Sequence, residues 1–130
     1  QKGALAVREL AYASGTRGMV GGQVADIISE GKQPTQELLE YIHHHKTAAL
    51  IIASVKLGGI FAGADSIQLA QLESYGRHLG LAYQITLFGL EQSRKMAKQA
   101  VDAAVKALDE LPGDTAKLNV MAQSLIGREA

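Results

Sequence analysis

The chain has 130 residues, which is the length of about one small domain. Its 13 basic and 13 acidic residues cancel, so no net field attracts nucleic acid or an anionic membrane, and we expect neither as a partner. Cysteine is absent, which excludes disulfides and thiolate chemistry and fits the cytoplasmic location that we expect.

The predicted elements are helices throughout, because alanine and leucine abound and no stretch alternates with the period of a strand. A first helix is predicted over Ala4–Ala13 and a second over Met19–Ser29, with turn residues between them. Thr35 is predicted to cap a third helix, which carries the apolar run from Ala48 to Ala64. Lys56 interrupts that run, which is shorter than the roughly 20 residues of a membrane span, so a buried helix is the interpretation.

The fourth helix is predicted to begin at Asp65 and Gln68, which have the spacing of a capping box. Its apolar positions recur at intervals of three and four and predict one buried face: Leu69, Leu72, Gly76, Leu79 and Tyr83. The turn formed by Pro112 and Gly113 precedes a last amphipathic helix, which carries Leu118, Met121, Leu125 and Ile126.

No turn cluster separates the fourth helix from that turn. Read literally, one helix would run from Ser66 to Leu111, far beyond the usual length of roughly 8–20 residues. The pattern therefore predicts a seam near Thr86 and Leu87, that is, a point at which two separate helical segments are joined because residues between them are missing. We expect a single all-helical domain over residues 1–130, with about six helices. Several helices are apolar on more than one side, which predicts contact with further chain or a second subunit.

A glycine-rich string, Gly18-Met19-Val20-Gly21-Gly22-Gln23, stands at the start of the second helix. Its spacing is not that of a dinucleotide-binding loop or a P-loop, and no strand precedes it. Close helix–helix packing is therefore the favoured interpretation over a phosphate-binding loop. Gln23 and Asp26 lie three residues apart and share a helix face. A carboxylate buried on that face would need a partner.

Three histidines, His43, His44 and His45, come directly before Lys46 and Thr47. Consecutive histidines point to different sides of a helix, so a helical metal site is not supported and a solvated patch is favoured. Lys46 stands where a polar helix start gives way to the apolar run. Its ammonium group could face a cavity with hydrophobic walls, which would suit an amphiphile with an anionic head.

In combination, five segments resemble the trans-isoprenyl diphosphate synthases, in particular the bacterial farnesyl and geranylgeranyl diphosphate synthases of short-chain type. The glycine string with Asp26 resembles the family's mid-chain helix, and Tyr41–Leu50 resembles its lysine–threonine motif. The tract 57–64 follows at the expected distance. Residues 75–85 resemble the run into the second aspartate-rich motif, and Leu87–Glu91 resembles the segment beyond it.

The resemblance implies the carboxyl-terminal half of an isoprenoid-synthase helical bundle around a central prenyl-chain cavity, incomplete as it stands. The sequence departs from the family where an aspartate-rich motif should follow Thr86 and Leu87 stands instead. No Asp-Asp pair is present, so the chain holds no recognisable ligands for the Mg²⁺ that the family uses. We therefore expect a missing segment between Thr86 and Leu87 rather than a natural deletion.

The resemblance further implies a prenyltransferase that condenses isopentenyl diphosphate with an allylic diphosphate. Lys46 would hold the departing diphosphate as a point charge, and Thr47 and Gln84 would place oxygens near the developing cation. Gln23, Asp26 and Tyr83 would line the same site. A homodimer is expected, with farnesyl or geranylgeranyl diphosphate as the product. The alternatives are a noncatalytic partner subunit and an inactive helical fragment.

Overall fold

The computed structural model describes the backbone of residues 1–33, 35–87 and 91–126, and the side chains of that set apart from residues 36, 84–87 and 91–94. Every regular element in these ranges is helical, so the all-α prediction is confirmed. The helices are α1 (Lys2–Ser14), α2 (Met19–Ser29), α3 (Gln36–His43), a π-helical segment (His44–Ala48), α4 (Ala49–Ala62), α5 (Ser66–Leu87), α6 (Glu91–Leu108) and α7 (Ala116–Gln123).

The helix boundaries follow local capping chemistry that the sequence predicts. The side chain of Thr35 accepts a hydrogen bond from the backbone N–H of Leu38 at 3.2 Å, which caps α3. Asp65 and Gln68 form the predicted capping box: each side chain accepts a bond from the other's backbone N–H, both at 2.9 Å. Gly63, with a φ of 89°, ends α4 in the left-handed region that favours glycine.

The predicted third helix is one continuous helical run with a π-helical segment inside it. The backbone N–H of Ala49 donates to the carbonyl of His44, five residues earlier, which is the π-helical bond. α3 leads into this segment and α4 continues from it without a break. The segment contains Lys46 and Thr47, the two residues that the resemblance singles out.

The run Glu37–Ala62 is long and apolar enough, by length and composition, to cross a membrane. It is one such stretch in the described part of the chain, which is weak evidence, because core helices of other proteins pass the same test. The prediction of a buried helix is confirmed only in part: Ala53, Gly59 and Ile60 are buried, whereas most other positions of the run are only partly covered. The expectation that it is not a span stays a prediction.

The hydrophobic core lies at the carboxyl-terminal end, where α5, α6 and α7 pack together. Its centre is formed by Tyr75, Leu79 and Val101, which are the largest fully buried side chains among the described residues. Mostly small apolar side chains surround them: Ala82, Ala100, Ala104, Ala107, Leu108, Ala122 and Leu125. We call this set the C-terminal core.

The helix α5 ends at Leu87, and α6 begins at Glu91 and packs back along it. The single helix from Ser66 to Leu111 that a literal interpretation gives is therefore not observed. The absence of that helix agrees with its rejection in the sequence, whereas Tyr83 is a correction: it is 38% exposed, although it was predicted on the buried face. The buried positions next to it on α5 are Gly80 and Ala82, whose side chains are too small to mark a core position in the sequence pattern.

Apolar side chains remain exposed on α1 and α2. Val7 and Leu10 of α1 are exposed, as are Val24, Ile27 and Ile28 of α2. Such a concentration on two neighbouring helices is typical of a surface that another chain covers. The prediction of a surplus apolar surface is therefore confirmed for α1 and α2.

Candidate functional site

The candidate site lies where α2 packs against the π-helical segment. Lys46 extends from that segment toward α2, and its Nζ lies 2.5 Å from Oδ2 of Asp26. Each of the two side chains is 36% exposed, so solvent and small anions can reach the pair. The partner that a carboxylate on this helix face needs is thus Lys46, twenty residues away along the chain.

The glycine string acts in packing, as predicted. Gly22 is buried, and a Cβ atom built on it would lie 2.8 Å from both the Cα of Lys46 and the carbonyl carbon of His45. Only glycine allows the backbones of α2 and the π-helical segment to approach this closely. Because Asp26 follows Gly22 by one helical turn, the same face of α2 contacts the backbone of Lys46 and pairs with its side chain.

The helix α5 packs along the other side of the same segment. A Cβ on Gly76 would lie 2.8 Å from the Cα of Ile52, and a Cβ on Gly80 would lie 2.6 Å from the Cα of Ala48. The contact moves four residues forward on α5, from Gly76 to Gly80, and four residues back on the facing helical run, from Ile52 to Ala48, so the two helices are antiparallel. One further turn along α5 places the backbone of Gln84 level with the start of the π-helical segment. Its side chain lies outside the described residues.

The remaining predicted site residues differ in how well they face this junction. Thr47 follows Lys46 in the π-helical segment and is partly buried. Gln23 lies on α2 with an exposed side chain, and Tyr83 is 38% exposed near the end of α5. The structure brings Lys46 and Asp26 together, whereas the roles of Thr47, Gln23 and Tyr83 in the site stay predictions.

The three histidines are partly buried, so the predicted solvated patch is only partly correct. Burial lowers the pKa of His43. The nearby carboxylate of Asp26 acts in the opposite direction, but its effect is smaller. Burial also lowers the pKa of His44, and the neighbouring Arg77 lowers it further. The ring of His45 stacks on Tyr41 with centroids 4.0 Å apart, and its Nδ1 lies 2.8 Å from the Tyr41 carbonyl oxygen.

An apolar cavity of about 490 Å³ adjoins the π-helical segment, but Lys46 does not line it. The polar side chains that line it are His43, His44, Glu40 and Arg77. Its apolar walls are formed by Leu39, Ala48, Leu81 and Met96. The expectation that Lys46 stands at the mouth of an apolar pocket is therefore not met at this cavity. Arg77 is the cationic group there instead.

The described residues contain no group of three histidine, cysteine or acidic side chains that could hold a metal ion. The Mg²⁺ that the resemblance implies therefore has no ligand set in this part of the chain. The residues present do not fit it, and its ligands would have to come from elsewhere.

Lys56 is the centre of a charge cluster that was not predicted from the sequence. Lys56 Nζ lies 2.8 Å from a carboxylate oxygen of Glu9 on α1 and 3.1 Å from one of Glu73 on α5. Arg77 contacts the other oxygen of Glu73 at 3.1 Å. Burial opposes the charge of Lys56, but the two carboxylates outweigh it and raise its pKa. The cluster joins α1, α4 and α5. Its one signal in the sequence is that Lys56 interrupts an apolar run.

Comparison with known proteins gives a consistent family. The family model described as polyprenyl synthetase matches residues 7–86, ending at the predicted seam. Farnesyl diphosphate synthase of Escherichia coli is 36% identical over 156 residues, covering 94% of this chain and 52% of that enzyme. Farnesyl diphosphate synthase of Geobacillus stearothermophilus is 48% identical over 79 residues, covering 61% of this chain and 27% of that enzyme.

A solved structure shares the fold. The FPP/GFPP synthase of Zymomonas mobilis superimposes with a TM-score of 0.87 at 28% identity, over 95% of this chain and 50% of that protein. This chain thus spans about half the length of the relatives that match most of it. The segment aligned with the E. coli enzyme is 156 residues long, more than the 130 residues of this chain, so that relative carries residues that this chain lacks. With its family match covering both Asp26 and Lys46, the chain belongs to the polyprenyl synthetase family.

Proposed function

We propose that this chain is part of a short-chain trans-prenyltransferase that condenses isopentenyl diphosphate with an allylic diphosphate such as dimethylallyl, geranyl or farnesyl diphosphate. The observation that carries the proposal is the accessible ion pair between Lys46 of the π-helical segment and Asp26 of α2. This pair lies within the region that matches the family, and the curated relatives are named as farnesyl and geranylgeranyl diphosphate synthases.

Lys46 is suited to hold a diphosphate. Its ammonium group is a compact charge with three donors, and Asp26 keeps it at a fixed place when no substrate is bound. A diphosphate carries more negative charge than one carboxylate and can therefore compete with Asp26 for the same donors. Because both side chains are 36% exposed, the exchange requires no movement of the helices.

In the proposed reaction, the allylic C–O bond breaks and pyrophosphate leaves with the bonding electrons. The double bond of isopentenyl diphosphate then attacks the allylic carbocation to form a C–C bond. The new cation then transfers a proton to the pyrophosphate released in the first step, which restores a double bond. Lys46 offsets the charge on the departing pyrophosphate, and Thr47 and Gln84 are proposed to place oxygens near the cation. When bound, Mg²⁺ would supply further charge to the diphosphates, through ligands that the described residues do not contain.

Three further features belong to the same proposal. We propose that a family segment with the metal-binding aspartates belongs between Thr86 and Leu87. The end of the family match at residue 86 supports it, whereas the helix-length argument does not, because α5 already ends at Leu87. We also propose a cytoplasmic enzyme and a homodimer in which the exposed apolar faces of α1 and α2 meet.

The test is condensation of labelled isopentenyl diphosphate with dimethylallyl or geranyl diphosphate in magnesium, together with sequencing of the gene across the codons for Thr86 and Leu87. We expect a prenyl diphosphate product and an intervening segment with Asp-Asp pairs. A gene that joins Thr86 directly to Leu87, in a protein that forms no product, would overturn the proposal.

The Lys46→Ala variant tests the role of the lysine. We expect kcat/KM for the allylic diphosphate to fall on the order of tenfold or more, because a hydrogen-bonded charge is lost from the substrate site. The matched control is Lys98→Ala, since Lys98 is an exposed lysine on α6, and its kinetics should equal those of the unchanged enzyme. Equal kinetics for Lys46→Ala would remove Lys46 from the site.

A second candidate function is that of a partner subunit that does not catalyse by itself. One relative, 44% identical over 101 residues, is named as the large subunit of a heterodimeric geranylgeranyl pyrophosphate synthase, so subunits with distinct roles occur among the matched proteins. This candidate predicts no product from the chain alone and altered product length when it is mixed with a catalytic relative. Product formed by the chain alone would exclude it.

A further inference from the structure

We propose that Gly22 and Gly80 are positioning residues: from opposite sides they hold the π-helical segment and thereby fix Lys46 beside Asp26. The inference deepens the proposed function, because it concerns the same lysine, but it rests on packing geometry that exists whether or not the protein catalyses condensation. Neither glycine would contact a substrate. Each would act through the backbone that carries Lys46.

The π-helical segment interrupts an otherwise regular helical run. Such a segment is rare, occurs mostly as a single turn inside an α-helix, and is frequent at functional sites. Here α3 and α4 are regular on either side, and the π-helical bond from Ala49 to His44 changes the angular position of Lys46 relative to α4. A local alternative exists, since the same residues could continue as an ordinary α-helix. Contacts from outside the segment must therefore favour the wider turn.

Those contacts come from two helices. On one side, α2 brings Gly22 against His45 and Lys46 so closely that a Cβ would lie 2.8 Å from the Cα of Lys46. On the other side, α5 brings Gly80 against Ala48, where a Cβ would lie 2.6 Å from the Cα. Real Cβ atoms do not approach backbone this closely. Both glycines are buried, so neither position owes its glycine to a turn or to solvent.

The two contacts bracket the segment along its length. Gly22 contacts its middle, at His45 and Lys46, and Gly80 contacts its last residue, Ala48. Asp26 lies one turn after Gly22 on α2 and binds the Lys46 ammonium group. A shift of the segment away from α2 would therefore separate Lys46 from its carboxylate. The backbone contact at Gly22 and the ion pair at Asp26 report on the same geometry.

The chain offers two matched controls. Gly76 is also buried on α5, and a Cβ there would lie 2.8 Å from the Cα of Ile52, one turn away from the π-helical segment. Gly58, on α4, is exposed and has no atom within 4 Å of the position of a Cβ. Gly76→Ala measures the effect of crowding α4 against α5 in general. Gly58→Ala measures the effect of an added methyl group in open space.

The experiment compares Gly22→Ala and Gly80→Ala with both controls and with Asp26→Asn, in the whole protein. The readout is the NMR signal of the Lys46 side chain, followed by thermal melting of each variant. We expect the Lys46 signal of Gly22→Ala and Gly80→Ala to move toward that of Asp26→Asn, in which the ion pair is broken. Gly76→Ala should lower the melting temperature without moving the signal, and Gly58→Ala should change neither.

An unchanged Lys46 signal in both Gly22→Ala and Gly80→Ala would overturn the proposal, as would an equal shift in Gly76→Ala. If the two variants do not fold, amide hydrogen exchange of the unchanged protein decides. Slow exchange at Lys46–Ala49, comparable with α4, supports a segment held from both sides, and exchange as fast as at a frayed helix end refutes it.

The kinetic comparison separates this inference from the proposed function. If the protein makes a prenyl diphosphate, Gly80→Ala should raise KM for the allylic diphosphate more than Gly76→Ala does at equal loss of melting temperature. If the unchanged protein makes no product, the proposed function fails, but the Lys46 signal still decides whether the glycines position the lysine.

Discussion

The C-terminal core and the junction of α2, the π-helical segment and α5 pack their helices by different means. In the C-terminal core, alanine, valine and leucine side chains fill the space between α5, α6 and α7. At the junction, Gly22 and Gly80 have no side chain, and this lets α2 and α5 approach the backbone at Lys46 and Ala48. Burial of apolar area stabilises a fold, whereas backbone contact buries little of it. The core therefore contributes stability, and the junction contributes the position of a charged side chain.

The largest expected effect comes from removing a core side chain. Leu79 is 2% exposed and lies at the centre of the C-terminal core. Leu79→Ala should lower the free energy of unfolding by about 2–5 kcal/mol, since the transfer energy of the lost carbons is joined by the cost of a cavity. Urea unfolding measures it, with Val120→Ala as the control, because Val120 on α7 is 69% exposed and lies outside the proposed dimer face, so we expect a change of about 0.5 kcal/mol or less. Similar losses for the two variants would contradict the division between core and surface.

A smaller effect is expected from the polar tie inside the same core. The Tyr75 hydroxyl donates a hydrogen bond to the carbonyl of Leu118 at 2.7 Å and links α5 to α7, and burial raises the pKa of Tyr75 to about 12. Tyr75→Phe removes the donor and should cost about 1–2 kcal/mol. Amide exchange should accelerate in α7 more than in α4. Tyr12→Phe, at an exposed tyrosine, is the control, and unchanged exchange in α7 would show that the bond does not hold that helix.

The charge cluster at Lys56 should contribute less than the core. Lys56→Met keeps the apolar stem, but it leaves the carboxylates of Glu9 and Glu73 without their shared cation. Because the cluster is partly solvated, we expect a loss of about 1 kcal/mol or less in the free energy of unfolding. The pKa of Glu9, which the Lys56 hydrogen bond lowers most, should rise in the variant. NMR titration measures it, and a Glu9 pKa equal to that of the unchanged protein would place Lys56 outside the cluster in solution.

Local signals made much of the fold predictable. The bounds of α2, the cap at Thr35 and the capping box of Asp65 and Gln68 depend on nearby residues, and the structure confirms all of them. The glycine string was likewise identified as packing. The resemblance singled out Lys46 together with Asp26, although no spacing rule joins residues so far apart in sequence.

Features that depend on distant contacts were not predictable. The π-helical segment has no local signature, because it is favoured by Gly22 and Gly80 from other helices. The burial of the three histidines and the exposure of Tyr83 likewise follow from which helices lie alongside them. Periodicity predicts a face, but it does not say whether a neighbour covers that face to its end. For the same reason, the helical periodicity continues to Leu111 without a stop signal, and only the excessive length of that pattern indicated a seam near Thr86 and Leu87, where α5 ends in the structure.

The smallest expected effect is a pH dependence that arises from three partly buried histidines, His43 and His44 near the junction and His78 on α5. Burial lowers the pKa of His43, His44 and His78, so these imidazoles stay neutral in the folded chain at pH values where the unfolded chain binds protons. The unfolded state then takes up more protons as the pH falls below the ordinary histidine value of 6.5, and stability decreases through that window. The melting temperature should therefore fall from pH 7 toward pH 5, before the carboxylates titrate. In the triple variant H43Q/H44Q/H78Q this fall should be absent, and its persistence would assign the acid sensitivity to other groups.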